Sequence, residues 1–331
     1  MAEPTTQRVD LSNREQATAY FQALPGFVLR RSQQILSALF AAECSRAGID
    51  VTESQLDALI VIASSPHIDQ VTLARKLGYD RSTTTSVVNG LVRRGLVKRL
   101  VGTDRRRRLL EPTPSARAAL SSARRCSSRA DAQLLAGLSP SERHQLLQVL
   151  TELATRADTE APAWESSIDG AAKTRGTTRL PKQYLTPRFL MGRCSQIGNA
   201  FLMQALGETG LTAAQLGVMF LTGAWAPVDQ TAIGRALRLD KSSVSLILSS
   251  LQLRGLIRRR SDPRHGRRVQ VSLTPKGSRQ LNESVPRAAG ADARVFEGLS
   301  SGARERFCSL LGKVVEAHRD EPESPSSRGA L

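Results

Sequence analysis

Between residues 53 and 93 apolar side chains recur every three or four positions in three blocks separated by polar turns, the spacing of helices that bury one face. The first block follows Thr52, with Gln55 three residues on, which predicts a capping box ahead of the stripe Leu56, Leu59, Ile60 and Ala63. A short second helix is expected from about Val71 to Leu77. Asp80 then caps a third, whose inward positions Thr84, Val87, Val88 and Leu91 follow i, i+3, i+4, i+7 and which Gly95 closes. Beyond it the pattern predicts a strand over Leu96 to Val101, a basic turn, and a second strand ending at Thr113-Pro114, where a cap residue followed by proline starts the next helix. Ser139-Pro140-Ser141-Glu142 opens a final helix with another capping box.

The same pattern returns 160 residues later. Over positions 55 to 99, thirteen of 45 pairs at that offset are identical, among them Asp69/Asp229, Gln70/Gln230, Asp80/Asp240, Arg94/Arg254, Gly95/Gly255 and Arg99/Arg259. In the second copy Thr212 and Gln215 form the capping box before Leu216, Met219 and Phe220. The short helix runs from Thr231 to Leu237, and Asp240 caps a helix with Val244, Ile247, Leu248 and Leu251 inward. A strand from Leu256 to Arg260, the pair Thr274-Pro275 and a helix starting near Ser301 complete it. Two helices joined by a tight turn and followed by a hairpin make a winged helix-turn-helix, so the expected fold is mostly α with small β wings, in tandem. The domains are read as 21–156 and 182–320. Residues 157–181, nearly devoid of bulky apolar side chains, form a linker spanning roughly 25 to 30 Å, and 1–20 and 321–331 read as disordered tails.

Two domains also suit the 331 residues, and 40% apolar content supports real cores. No stretch has the length of a spanning helix and the start lacks a signal-peptide pattern, so the chain is expected to be cytoplasmic, without a membrane partner. Four scattered cysteines and four scattered histidines give no metal or disulfide framework, and no nucleotide-binding or hydrolase motif occurs. Neither an enzyme nor a cofactor is therefore expected.

Charge then singles out the wings. The chain carries +17; residues 93–108 hold eight Arg or Lys against one Asp, and 254–268 seven against one, which together make thirteen of that excess. Such concentration beside a predicted recognition helix, twice over, points to double-stranded DNA as partner. Arg81, Ser82, Thr83 and Thr85 in copy one, and Lys241, Ser242, Ser243 and Ser245 in copy two, are the candidates for phosphates and base edges. Arg105, Arg106, Arg107 and Arg108, with Arg264, Arg267 and Arg268, are the candidates for phosphate or minor-groove contact.

The run TLARKLGYDRSTTTSVVNGLVRRGLVKR, the wing, and DPRHGRRVQVSLTPKG resemble MarR-family transcriptional regulators over roughly residues 25–155 and 182–318. The resemblance implies a dimer-type architecture with interlocking terminal helices, here supplied by one chain as a pseudo-dimer with intramolecular domain pairing. It also implies that Arg106 and Arg267 take the place of the family's minor-groove arginine, braced by Asp104 and Asp262. Copy one departs in a shorter wing, in Pro112, and in lacking a glycine at the position of Gly277; copy two departs in His265-Gly266. A small aromatic-acid effector is the kind of ligand such a resemblance suggests. Phe201, Met203, Met219, Phe220 and Trp225 are its candidate lining, although a stripe of that kind reads more readily as plain core. Cys194 reads as a buried, inert thiol. The function expected is that of a sequence-specific repressor relieved by a ligand, acting on an imperfect palindrome with half-sites about one helical turn apart; the rival is a sequence-independent architectural DNA binder.

Overall fold

The computed structural model describes Gln16, Tyr20 and residues 24–101, 108–156, 185–261 and 269–318. The linker 157–181, the tail 321–331 and both wing tips lie outside the described residues. Of the stretch 1–20, read as a tail, Gln16 and Tyr20 are helical, and Tyr20 stacks on Phe220 with 6.3 Å between ring centroids. An aromatic ring with an apolar surface to cover has reason to be ordered there.

The first copy runs α1 (Pro25–Arg46), α2 (Glu53–Ser64), β1 (Ile68–Asp69), α3 (Gln70–Leu77), α4 (Arg81–Arg93), β2 (Val97–Val101), β3 (Arg108–Pro112), α5 (Pro114–Leu134) and α6 (Pro140–Arg156). The second repeats it as α7 (Pro187–Leu206), α8 (Ala213–Trp225), β4 (Val228–Asp229), α9 (Gln230–Leu237), α10 (Lys241–Leu253), β5 (Ile257–Ser261), β6 (Val269–Leu273), α11 (Pro275–Val295) and α12 (Ser301–Ala317). A 3-10 turn, Gly207–Thr209, precedes α8.

Local chemistry fixes the helix starts. Thr52 and Gln55 exchange both bonds of a capping box, and Thr212 and Gln215 do the same. Asp80 and Asp240 accept from the backbone N–H of Thr83 and Ser243, each at the third position of its helix. Asp69 and Asp229 cap α3 and α9 in the same way. These two aspartates also end the two-residue strands β1 and β4, which the hydrophobic pattern does not reveal because two residues have no period. Each completes a three-stranded antiparallel sheet, in the orders β1-β3-β2 and β4-β6-β5, with Ile68 opposite Leu110 and Val228 opposite Val271. The turns after α4 and α10 close on Gly95 and Gly255 at φ +66 and +69, the left-handed region glycine enters without steric cost.

The described chain gathers into two compact units that do not coincide with the two copies in sequence. One takes Arg30–Gln196 with the residues from Ser309 onward, the other the residues up to Leu29 with Ile197–Cys308. In the unit of the first copy, Leu56, Leu59, Ile62, Leu73, Leu91 and Leu110 are fully buried and fasten α2, α3, α4 and β3 together. In the other, Leu216, Met219, Phe220, Ile233, Leu248, Leu251 and Val271 form the equivalent core. Among the described residues no helix is long and apolar enough to cross a membrane, and no cluster of His, Cys, Asp or Glu is placed to hold a metal.

Candidate nucleic-acid interface

The inner face of α4 is spent on packing. Thr84, Val87, Val88 and Leu91 are buried, and the Thr84 hydroxyl donates back to the carbonyl of Asp80 at 2.8 Å. At 100° per residue, positions i, i+4, i+7 and i+11 fall on one stripe, so the face turned outward carries Ser82, Ser86, Asn89 and Arg93. With Arg81 and Arg99 of β2, these residues line an open groove of about 860 Å³. Arg99 donates to Asn89 Oδ1 at 2.6 Å, so the carbonyl of that amide is spoken for and its N–H donors are left for a partner.

Not every hydroxyl near the start of α4 is available in this way. Thr83 Oγ1 donates to the Asp80 carboxylate at 2.9 Å, and with the Thr83 backbone N–H this bond holds the Asp80 carboxyl below its usual range. Thr85 Oγ1 donates to the carbonyl of Arg81 and accepts from Gln70 Nε2, both at 2.7 Å. Arg81 and Ser82 are exposed, whereas Thr83 and Thr85 are half-buried. Ser86, Asn89 and Arg93 lie beyond the first-turn candidates and share the outward stripe of Ser82, a spacing already present in the sequence.

In the second head Lys241 and Ser242 are exposed, the Ser243 hydroxyl donates to Asp240 at 2.7 Å, and Ser245 is half-buried. Arg259, the counterpart of Arg99, donates to the carbonyl of Ser245 and to Ser249 Oγ, both at 3.2 Å. The outward stripe here is Ser242, Leu246, Ser249 and Leu253, and its two leucines are 66% and 90% exposed.

Some of the cations counted in the sequence serve the scaffold. Arg94 pairs with Asp50 at 2.6 Å and donates to its carbonyl at 2.7 Å, pinning the end of α4 to the loop before α2. Arg254 makes the corresponding tie to the carbonyls of Thr209 and Gly210 at 2.8 Å, and Lys98 pairs with Glu111 across β2 and β3. Arg81, Arg93, Arg99 and Arg108 stay exposed in the first copy, and Arg258 and Arg260 in the second. Arg105, Arg106, Arg107, Arg264, Arg267 and Arg268, with the bracing candidates Asp104 and Asp262, lie outside the described residues.

Residues from α7 hold the first head in place from behind. Gln196 Nε2 donates to the carbonyl of Leu77 at 3.3 Å, beside the turn between α3 and α4. The buried Arg188 guanidinium meets Asp57 at 2.5 Å and Ser127 Oγ at 3.2 Å, and Asp57 accepts from the Tyr79 hydroxyl at 3.4 Å. Burial opposes the charge of Arg188, but Asp57, Glu53 and Asp131 around it keep it firmly protonated. Burial pushes the Asp131 carboxyl up to about 7 even with Arg188 opposing the shift. At the equivalent positions the second copy carries Gly217 for Asp57 and Ala213 for Glu53, so this charged brace belongs to one head.

The five candidate lining residues differ in their surroundings. Met219 and Phe220 are core, Trp225 packs half-buried against that core, Phe201 lies under the Arg294 guanidinium at 4.4 Å, and Met203 is 42% exposed. Cys194 is fully buried with its thiol directed at the carbonyl of Leu150.

A family model, that of the MarR family, matches residues 49–107 and again 209–268. A transcriptional regulatory protein assigned to the hcr operon of Thauera aromatica is 38% identical over 139 residues, covering 42% of this chain and 82% of the relative. The transcriptional repressor NicR of Pseudomonas putida is 25% identical over 128 residues, 39% of this chain and 81% of its own. Among solved structures, the PcaV transcriptional regulator of Streptomyces coelicolor in complex with its natural ligand is 26% identical, covers 42% of this chain and 98% of that one, and superposes with a TM-score of 0.39. The Thauera and Pseudomonas relatives thus spend most of their length on about two fifths of this chain, as expected where a module occurs twice.

Proposed function

The chain belongs to the MarR family of transcriptional regulators, with two family modules in one polypeptide, and from that premise we propose that it is a sequence-specific regulator of double-stranded DNA in which one chain supplies both reading heads. The observation that carries the proposal is the outward face of α4. A helix whose inner stripe is locked into a core presents serines, an amide and arginines around an open groove, and a second helix with the same buried inner stripe recurs 160 residues on. Such a face suits the major groove, with side chains near the helix start toward base edges and the flanking arginines toward phosphates. The mode of control proposed is repression, relieved by a small aromatic acid, in the cytoplasm.

Selection of bound sequences from a random duplex pool with the purified full chain tests this directly. The expected result is an imperfect inverted repeat bound at least about a thousandfold more tightly than random duplex at the same salt. Binding that depends on salt but enriches no sequence would instead establish the architectural reading. Release of the selected duplex on adding small aromatic carboxylic acids tests the mode of control.

A further inference from the structure

We propose that the two heads read their half-sites by different chemistry: the first by hydrogen bonds, the second through an apolar contact between Leu246 and the C5-methyl groups of thymine. The inference rests on the DNA-reading role proposed above. Its basis is the outward stripe itself. Ser82, Ser86, Asn89 and Arg93 in α4 become Ser242, Leu246, Ser249 and Leu253 in α10, so hydrogen-bonding capacity is replaced by exposed aliphatic surface at two of four positions. Leu246 is 66% exposed, and its neighbours Val244, Ile247 and Leu248 show that the helix had inward places for its apolar residues. Leu246 is therefore not a core residue displaced to the surface.

Position along the helix says which leucine can reach a base. Leu246 lies five residues from Lys241, about 7.5 Å along the axis, within the width of roughly 12 Å that a major groove offers. Leu253 lies near the far end of α10, where the first head has Arg93, and its aliphatic side chain forgoes a phosphate contact. The surroundings of Leu246 suit a polyanion rather than an apolar protein partner: Lys241 stands at the start of the same helix, and Arg258 and Arg260 are exposed on the adjacent strand β5. In the major groove the thymine methyl is the apolar feature that distinguishes a base pair, and an exposed leucine flanked by cations complements it. Asn89, with its carbonyl engaged by Arg99, offers the first head donors instead; Ser249, held by Arg259, has no such amide.

The test replaces thymine by deoxyuridine, one half-site at a time, in the duplex selected with the full chain. This change removes the methyl and leaves base pairing and the O4 acceptor intact. Replacement in one half-site is expected to weaken binding about fourfold for each contacted methyl, the equivalent of one buried CH₂ group. Leu246→Ala and Leu246→Ser should each lose affinity for the thymine duplex and bind it no better than the deoxyuridine one. Both variants alter an exposed side chain, and an unchanged circular dichroism melt establishes that they are folded. Equal binding of thymine and deoxyuridine duplexes by the parent overturns the inference, as does sensitivity that survives in both variants. Either result leaves the sequence-specific reading standing, whereas failure to enrich any duplex removes that reading and this inference with it.

Discussion

A guanidinium as buried as that of Arg188 is tolerable because a carboxylate oxygen of Asp57 lies 2.5 Å away and Ser127 takes a second bond. Removing the cation strands several carboxylates in a dry site, so Arg188→Ala should destabilise its unit by about 3–5 kcal/mol, read by chemical denaturation of the full chain. An effect under about 1 kcal/mol would show that the pair is solvated. Asp131 gives the opposite kind of prediction. Its folded value, about 7, lies above the ordinary 3.8, so between those pH values the native state holds a proton the unfolded chain has released. Native stability therefore falls as pH rises through this window. Asp131→Asn should match its parent near pH 4 and gain on it progressively up to about pH 7, and a stability difference that does not change with pH would contradict the assignment. At the reading face, Asn89→Ala should weaken binding to the selected duplex about tenfold and relax preference at one base pair, measured by competition among single-base variants.

The elements show why the winged helices were legible in the residues and where legibility stopped. Period and cap agree at α2, α4, α8 and α10, and Gly95 and Gly255 close the second and fourth of these; each is a local signal, so these helices start within a residue or two of where the pattern places them. β1 and β4 were not legible because a two-residue strand exists only through its partner, Ile68 through Leu110 and Val228 through Val271. The outward stripes were legible in principle, whereas the bonds that Thr83 and Thr85 make to Asp80, Arg81 and Gln70 join residues whose side-chain contacts no periodicity reveals. Arg94 and Arg254 likewise counted as wing charge and turned out to tie each helix end to the loop behind it. One divergence between the copies has a measurable consequence at this scale. A Cβ on Gly277 would stand 1.9 Å from the carbonyl oxygen of Leu256, whereas the first copy has Ala116 at that place. Gly277→Ala should lower the stability of its unit by about 1–3 kcal/mol, the range for overpacking a well-packed site, and an unchanged thermal melt would show that α11 shifts freely.

Across the whole molecule, the compact units draw on both copies: α7 begins in the unit that holds the first head, and residues up to Leu29 belong with the second. That exchange was not legible in the repeat, because self-similarity says which segments are alike and nothing about which copy each packs against. Two heads carried in one chain are free to differ, as Asn89 against Ser249 and Ser86 against Leu246 do. Since phosphate contacts set the salt dependence of binding, Arg93→Ala should flatten the log-log salt slope by about one unit, while Leu253→Ala in the second head should leave it unchanged. Equal slopes for the two variants would mean that Arg93 touches no phosphate. The claim that one chain supplies both halves of the reading machinery is tested most directly by sedimentation of the full chain on its selected duplex, with footprinting of the same complex. The account predicts one chain per duplex with both half-sites protected; two chains per duplex, each protecting a single half-site, would contradict it.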